Sequence, residues 1–525
     1  MYRAAVPRIP KLIALSAGFG SALGFAPLGL WPLTIIAFAV LIRLVDGAPT
    51  LGGALSRGYW FGVGHFIVGL NWIAGAFVFQ DSMPVWFGWI AVVGLSLFLA
   101  IYPALASAAA WLIGRGNALR FTLVFAGAWI ISEWLRATLL TGFAWNPVAV
   151  VLVDLPLIRD NARIFGTYGL SAWVTIAAGV IAYCAPRWIA SIRANITNGT
   201  WLTYLIGAPI ALGVTAFLTA AGINRIDLYV YPEAPPANTP PHLLRIVQPN
   251  IGQENKHKPA FDKINFDKLT RLTGKPQATP RLIMWPEAAI PDYLEDEVWA
   301  RERIAALMGP KDVLLTGGVA LVEGKDGTIV AARNRLFALT ADAKIIARYD
   351  KSHLVPGGEY LPMRGVMSAI GLSRLVPGDL DFLAGPGART FALPGFGRMG
   401  VQICYEIVFS GHVIDKAHRP DFMFNPSNDA WFGNWGPPQH LAQAQMRAIE
   451  EAMPIIRSTP TGISTVINAQ GQIIKRLPFQ KPGFIAAPLP PPAAPTFFSA
   501  HGNMIGLVFA FILGGLGVAL GRLRR

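Results

Sequence analysis

Residues 281–291 read RLIMWPEAAIP. The run 281–285 fits a strand buried in a sheet, Pro286 closes it by withholding a backbone N–H, and Glu287 is presented at its end. Two further stretches repeat the pattern. In 345–362, IIARYDKSHLVPGGEYLP, a strand expected over 344–349 hands over Lys351, with Glu359 eight residues on. In 398–406, RMGVQICYE, a strand expected over 399–403 runs into Cys404, Tyr405 and Glu406. Strand ends are where α/β sheets build their sites.

Outward from these three points the same texture continues. Strands are expected at 243–248, 281–285, 312–317, 335–340, 344–349, 399–404, 421–425 and 454–467, with charged helical stretches such as 292–308 and 440–452 between them. That order predicts an α/β layered domain. The Pro-rich run 488–495 reads as a stiff, extended linker into a last apolar segment.

The flanking sequence belongs to another solvent. Hydrophobic residues make up 53% of the 525-residue chain and charged residues 14%, with a mean hydropathy of +0.45, which excludes an ordinary soluble protein. Windows able to cross a core of about 30 Å, roughly 20 residues each, fall near 11–28, 31–46, 58–79, 85–113, 121–140, 164–185, 201–222 and 503–521. The net charge of +14 raises the question of nucleic acid, but most of the excess lies beside these windows: 15 Lys/Arg against 5 Asp/Glu in 1–222 plus 503–525, and 29 against 25 in 223–502. That is a topology and lipid-headgroup signal, so no nucleic-acid partner is expected. With the N-terminus inside, twelve basic residues fall on the cytoplasmic side and two, Arg159 and Arg163, outside. Both termini are then cytoplasmic and 223–502 lies outside, in the periplasm of a diderm cell. The expected domains are 1–222, a transmembrane bundle of about seven helices; 223–487, catalytic; 488–502, linker; and 503–525, a last span with a basic tail.

Two cysteines, Cys184 and Cys404, exclude a disulfide framework. Each reactive residue has a plain structural reading: Cys404 as a small buried hydrophobe, Glu287 as a helix cap, Lys351 and Glu359 as a surface ion pair. Together they describe a chemistry. An ammonium beside a thiol favours the thiolate, a carboxylate accepts its proton, and attack on an acyl carbonyl would create an oxyanion that Lys351 and a backbone N–H could stabilise before collapse to an acyl-Cys404.

Glu287, Lys351 and Cys404, spaced by 64 and 53 residues, stand in the chain order of the nitrilase superfamily's Glu, Lys, Cys set. The chain further resembles that superfamily's membrane-embedded branch, the apolipoprotein N-acyltransferases, from end to end: FAPLGLWPL (25–33), SEWLRATLLTGFAWNP (132–147), VQPNIGQ (247–253), MWPEAAIP (284–291), HLVPGGEYLP (353–362), ICYE (403–406) and NPSNDAWFG (425–433). The resemblance implies a polytopic α-helical bundle of about eight spans carrying a nitrilase-like α-β-β-α sandwich. It implies a ping-pong reaction in the bacterial inner membrane: a fatty acyl chain passes from a phospholipid to Cys404, and then to the N-terminal amine of an S-diacylglyceryl-cysteine lipoprotein. Glu287 would be the base, Lys351 the oxyanion-stabilising cation and Cys404 the nucleophile. Glu359 would orient Lys351 or the base, Asn334 would assist, Tyr405 and Glu406 would shape the acyl or headgroup pocket, and Trp431 would face lipid. No metal or cofactor is implied, and the expected state is a monomer. His257 stands where the resemblance leads one to expect a Trp.

Three features stand beside the triad. The apolar segment 361–383 predicts a membrane-facing lid, with a place in the core as its alternative, and the loop 431–435 offers amphipathic rings to the interface. Glu133 and Arg136, three apart in the fifth window, are expected to pair with each other or another helix, as structural glue or as a phosphate contact. The rival readings are a membrane-tethered amidase using the same triad, and a non-catalytic polytopic transporter or lipoprotein scaffold.

Overall fold

Two six-stranded sheets carry the strand-end stretches. The computed structural model describes residues 9–80, 83–195, 243–256, 258–361, 363–369 and 380–523. The chain divides into two compact units, one of residues 1–71, 89–233 and 495–525, the other of residues 72–88 and 234–494. The expected seventh window (201–222) and His257 lie outside the described residues.

In the second unit, β1 (Leu243–Gln248), β2 (Arg281–Met284), β3 (Val313–Glu323), β4 (Ile329–Thr340) and β5 (Ile345–Asp350) lead into β6 (Thr390–Leu393), β7 (Gly397–Val401), β8 (Phe422–Pro426), β9 (Ile455–Ser458), β10 (Thr465–Ile467), β11 (Ile473–Arg476) and β12 (Gly483–Pro488). One sheet runs β12-β1-β2-β3-β4-β5, the other β11-β10-β9-β8-β7-β6. Each has a parallel core, β1-β2-β3 and β7-β8-β9, flanked by antiparallel strands. Parallel strands are covered on both faces, and β2, β8 and β9 are accordingly buried along their whole length. The Ser458 hydroxyl on β9 reaches the Val247 and Met284 carbonyls of β1 and β2 at 3.0 and 3.3 Å, joining the sheets. Helices Pro259–Thr273 and Val298–Ala305 bring Leu269, Ala300 and Ile304 into one core with Ile283, Trp285 and Phe337 of the first sheet. Helix Gly436–Glu451 follows β8 and connects it to β9. The result is an α-β-β-α layering.

Two strand expectations need correction. The run 454–467 is two antiparallel strands, β9 and β10, because Thr459 to Ser464 turn between them. The strand at 399 stops at Val401, and Cys404 begins a 3-10 turn, Cys404–Val408, instead of lying on the strand. Strands β6, β11 and β12 were not expected.

Four helical stretches are long and apolar enough to cross a membrane: Phe87–Gly114, Ala118–Thr138, Ala162–Ala185 and Met504–Arg522; a bent pair, Leu51–Gly69 with Trp72–Phe79, makes a fifth. Among the described residues this falls short of eight. Helices Pro10–Ala22 and Trp31–Asp46 have 13 and 16 residues, under the roughly 20 a span needs, since the sequence around Pro27 and Gly29 breaks the helix between them. Helices Pro10–Ala22 and Leu51–Gly69 cross with glycine against backbone. A Cβ on Gly18 would come within 2.1 Å of the Phe61 carbonyl, and one on Gly64 within 2.2 Å of the Leu15 carbonyl. Glu133 and Arg136 act as glue. The Glu133 carboxylate accepts from Trp129 Nε1, the Val148 N–H and the Ser171 hydroxyl, and Arg136 donates to the Phe143 and Trp145 carbonyls. Both therefore hold the segment 143–148 against their own helix.

Candidate active site

Glu287 leaves β2 on a turn that the neighbouring strand pins. The Gly317 N–H donates to the Pro286 carbonyl at 3.2 Å, and the Ala289 N–H donates to the Gly317 carbonyl at 3.0 Å. This approach needs a glycine, because a Cβ on Gly317 would sit 2.5 Å from the Ala288 nitrogen and 2.7 Å from Glu287 Cα. Lys351 follows β5, and its N–H donates to the Asn334 carbonyl on β4 at 2.9 Å. Three predicted residues thereby converge from three strands.

Their side chains form one buried charge cluster. Lys351 Nζ donates to Glu359 Oε1 at 2.9 Å and to Glu287 Oε1 at 3.5 Å. Asn334 Nδ2 bridges the same two oxygens at 2.7 Å from Glu287 and 2.9 Å from Glu359. Glu359 Oε2 accepts from the Val355 N–H, closing the 351–359 loop on itself. Burial works against the Lys351 ammonium, but the carboxylates of Glu359 and Glu287 overcome it and hold its pKa above the ordinary value. Glu287 Oε2 is buried without a hydrogen-bond partner. One oxygen of this carboxylate is anchored; the other is available for a proton.

Cys404 lies on the second sheet's side, at φ +51°, and is 4% exposed. Burial and the negative charge of Glu287 push its thiol up, Lys351 pulls it down, and the Asn428 backbone N–H also favours the thiolate. Deprotonation therefore calls for a nearby acceptor, and the charge of Glu287 is felt at this thiol. Glu406, expected in a substrate pocket, is engaged elsewhere. Its carboxylate accepts from the Tyr349 hydroxyl, the Ser352 N–H and hydroxyl, the His353 N–H and the Ile403 N–H, all within 3.1 Å. It clamps the loop after Lys351 to the residue before Cys404. The Tyr405 ring packs edge-on against Phe409, with centroids 5.2 Å apart. Trp431 sits on the short 3-10 turn Asp429–Phe432, with its ring against Phe79 at 5.8 Å.

Two participants were not singled out in the sequence. Lys256, buried at the end of the helix Gln253–Lys256, donates to the Glu287 carbonyl at 2.8 Å. The Asn428 amide, with its oxygen facing inward, accepts from Lys256 Nζ at 3.1 Å and Trp431 Nε1 at 2.9 Å. Burial lowers the Lys256 pKa to about 8, with Glu287 and Cys404 opposing. A cavity of about 360 Å³ lies beside it, lined by Lys256, Phe266, Pro286, Glu287 and Ile290. The second participant is His440, whose ring approaches the Cys404 carbonyl. Lys256 directly precedes His257, and His440 opens the expected helical stretch 440–452, so both sat next to features already read; nothing in spacing alone distinguished them.

Cys404, Asp429 and His440 place ligand-type atoms within 4.8 Å of one another. Both ring nitrogens of His440 are engaged, and the Arg457 guanidinium pairs with Asp429 and touches the ring. A fixed cation already fills that corner, which argues for a hydrogen-bond network instead of a metal centre.

Of the apolar segment 361–383, residues 362 and 370–379 lie outside the described residues. Met363 and Val366 are 71% and 58% exposed, so this part of the segment is not core.

Two family models match the chain, an apolipoprotein N-acyltransferase N-terminal domain over residues 17–180 and a carbon-nitrogen hydrolase over 243–494. An apolipoprotein N-acyltransferase of Rhodopseudomonas palustris is 35% identical over 96% of this chain and 93% of its own length. One of Bradyrhizobium diazoefficiens is 34% identical over 98% and 95%. Among solved structures, a nitrilase-superfamily amidase from Nesterenkonia AN1 aligns with 47% of this chain and 90% of its own, at 15% identity and a TM-score of 0.32.

Proposed function

The chain belongs to the apolipoprotein N-acyltransferase family, and from that premise we propose that Cys404 carries the acyl group, Glu287 moves the protons and Lys351 steadies the oxyanion. The enzyme is an acyltransferase of lipoprotein maturation: it moves a fatty acyl chain from a membrane phospholipid, through an acyl-cysteine thioester, to the N-terminal amine of an S-diacylglyceryl-cysteine. The observation that carries the residue assignment is the asymmetry of Glu287, with Oε1 tied to Asn334 and Lys351 and Oε2 buried and unpartnered.

In the first half-reaction Glu287 takes the Cys404 proton as Sγ attacks the ester carbonyl. The carbonyl electron pair moves onto oxygen, where the Lys351 ammonium stabilises it. Collapse breaks the C–O ester bond, Glu287 returns the proton to the departing lysophospholipid alkoxide, and the thioester remains. In the second, the acceptor amine attacks the thioester, Glu287 takes its proton, and the C–S bond breaks to release the amide and restore the thiol. Glu359 and Asn334 orient Lys351 and the base. Glu406 keeps the lysine loop and the cysteine turn together, with Tyr405 beside it. Trp431 and the exposed Met363 and Val366 lie where lipid arrives, the latter two on a lid.

The proposed setting has about eight membrane crossings and the division 1–222, 223–487, 488–502, 503–525. The catalytic domain is periplasmic, both termini are cytoplasmic, and the enzyme is a monomer. The excess of basic residues on one side of the spans supports this orientation.

Purified protein is incubated with phospholipid and weighed intact, with and without hydroxylamine. A hydroxylamine-labile acyl mass, absent from Cys404→Ala, is expected; its persistence in that variant rejects Cys404. Adding a diacylglyceryl peptide moves the mass to the peptide. Loss to water with the peptide unmodified would support a hydrolase instead. A cysteine-labelling scan that places 243–488 in the cytoplasm overturns the topology.

A further inference from the structure

Cys404 opens the 3-10 turn Cys404–Val408 at φ +51°, a conformation that non-glycine residues seldom adopt, and side chains from outside that turn meet its carbonyl. Two side chains face it: His440 Nε2 at 3.1 Å and, more distantly, Asn425 Nδ2 at 3.4 Å. A carbonyl only accepts, so Nε2 carries a proton. The other ring nitrogen, Nδ1, lies 2.9 Å from Asp429 Oδ1 and 3.0 Å from Arg457 Nη2. Arg457 also pairs with Asp429 and donates to Asn425 Oδ1 at 2.5 Å, while Asn425 Nδ2 reaches the Gln402 carbonyl at 2.6 Å. Asp429, His440 and Arg457 are all fully buried.

We infer that His440, held in place by Asp429 and Arg457, is a positioning residue that fixes the Cys404 elbow for attack, acting through the Cys404 carbonyl. The network grips the nucleophile from two directions. His440 holds its carbonyl, and Asp429 anchors the turn whose preceding residue, Asn428, offers its backbone N–H to the Cys404 sulfur. A buried ion pair serving stability alone has no need of the nucleophile's carbonyl; this one terminates on it. Burial and the neighbouring Arg457 also keep the His440 ring below its usual pKa, which suits a fixed donor better than a second base.

The inference rests on Cys404 being the nucleophile, and its test is read on Cys404 alone. In a Cys184→Ser background Cys404 is the sole thiol, and its alkylation by iodoacetamide is followed by intact mass in the detergent-solubilised full chain. A glutamine amide reaches where Nε2 sits, whereas an asparagine amide reaches only the Nδ1 position. His440→Gln is expected to alkylate and form thioester within about threefold of the parent, and His440→Asn about tenfold or more slower, the usual scale of one lost hydrogen bond. Both changes leave a polar side chain beside Asp429 and Arg457, so a role in stability alone predicts similar rates for the two variants. Equal rates, or rates that merely track thermal stability, overturn the inference. Independent of any variant's folding, nitrogen NMR of histidine-labelled parent is expected to show His440 Nε2 protonated; a bare Nε2 also overturns it. If Cys404→Ala keeps the acyl mass, the nucleophile assignment fails; if Cys404 acylates normally and the two variants behave alike, only the role of His440 fails.

Discussion

Replacing Glu359 by glutamine removes a negative charge 2.9 Å from the Lys351 ammonium and leaves Glu287 Oε1, at 3.5 Å, as its carboxylate partner. Coulomb attraction falls with distance, so at any common dielectric the lost pair is the stronger of the two. Removing one side of a charge-assisted hydrogen bond costs about 1.5 to 3 kcal/mol. Its consequence for catalysis runs through Glu287. An ammonium with one partner fewer is drawn toward Glu287 and away from the place the proposed mechanism gives it, which slows thioester formation. At 1.36 kcal/mol per decade, single-turnover thioester formation in Glu359→Gln falls roughly ten- to 150-fold. The pH dependence follows from the same group. Burial pulls the Lys351 pKa down and the two carboxylates raise it above 10.5, and a group raised on folding contributes stability that is fully present below its unfolded pKa and lost as pH rises through its folded one. With Glu359 neutralised the folded pKa drops, so the alkaline unfolding limb moves to lower pH. Quench-flow with intact mass reads the rate, and thermal melts carried from neutral pH to above the ordinary lysine range read the limb. Parental values of both would refute the role assigned to this carboxylate.

Lys256 behaves in the opposite sense. Its pKa is lowered by burial to about 8, so the unfolded chain holds the extra proton between pH 8 and about 10.5 and stability from this group rises with pH across that window. Lys256→Met is expected to lose that rise in melting temperature; a parental pH slope rejects the burial argument. Gly317→Ala places a methyl against the Glu287 turn, and thioester formation is expected to fall at least tenfold with all three triad residues intact, whereas Gly318→Ala, whose added Cβ meets only the Phe337 ring edge at 3.3 Å, changes little; similar rates for the two sink the proposed contact. Met363→Asp with Val366→Asp should raise KM for vesicle phospholipid several-fold and leave Cys404 alkylation by iodoacetamide unchanged; an unaltered KM removes the lid from lipid entry.

The three strand-end stretches were legible because each carries its signal locally: an apolar run, a breaker or turn residue, then a reactive group. Strand ends at 248, 340 and 349 fell within one residue of those observed for that reason. What escaped depends on tertiary partners. β6, β11 and β12 sit at or next to sheet edges with mixed burial, so their sequences lack a continuous apolar signature. Glu406 looked like a pocket residue because it neighbours Cys404; its five donors come from Tyr349, Ser352, His353 and Ile403, mostly more than 50 residues away. His440 stood only as the first residue of an expected helical stretch, and its partner, the Cys404 carbonyl, lies 36 residues away in sequence.

Under the mechanism proposed above, these long-range ties make a buried thiol reactive without making it permanently ionic. Burial alone would leave Cys404 protonated and inert, and a free lysine beside it would hold a standing thiolate open to side reactions. Here Lys351 is already matched by Glu359 and Glu287, so the cluster gains little from a thiolate until Glu287 accepts a proton and vacates its charge. Under the proposed mechanism, thiol deprotonation and neutralisation of Glu287 are one event, and the Lys351 ammonium freed from that carboxylate is available to the oxyanion in the same step. The first sheet thus supplies the charge that moves, while the second supplies the elbow that stays still.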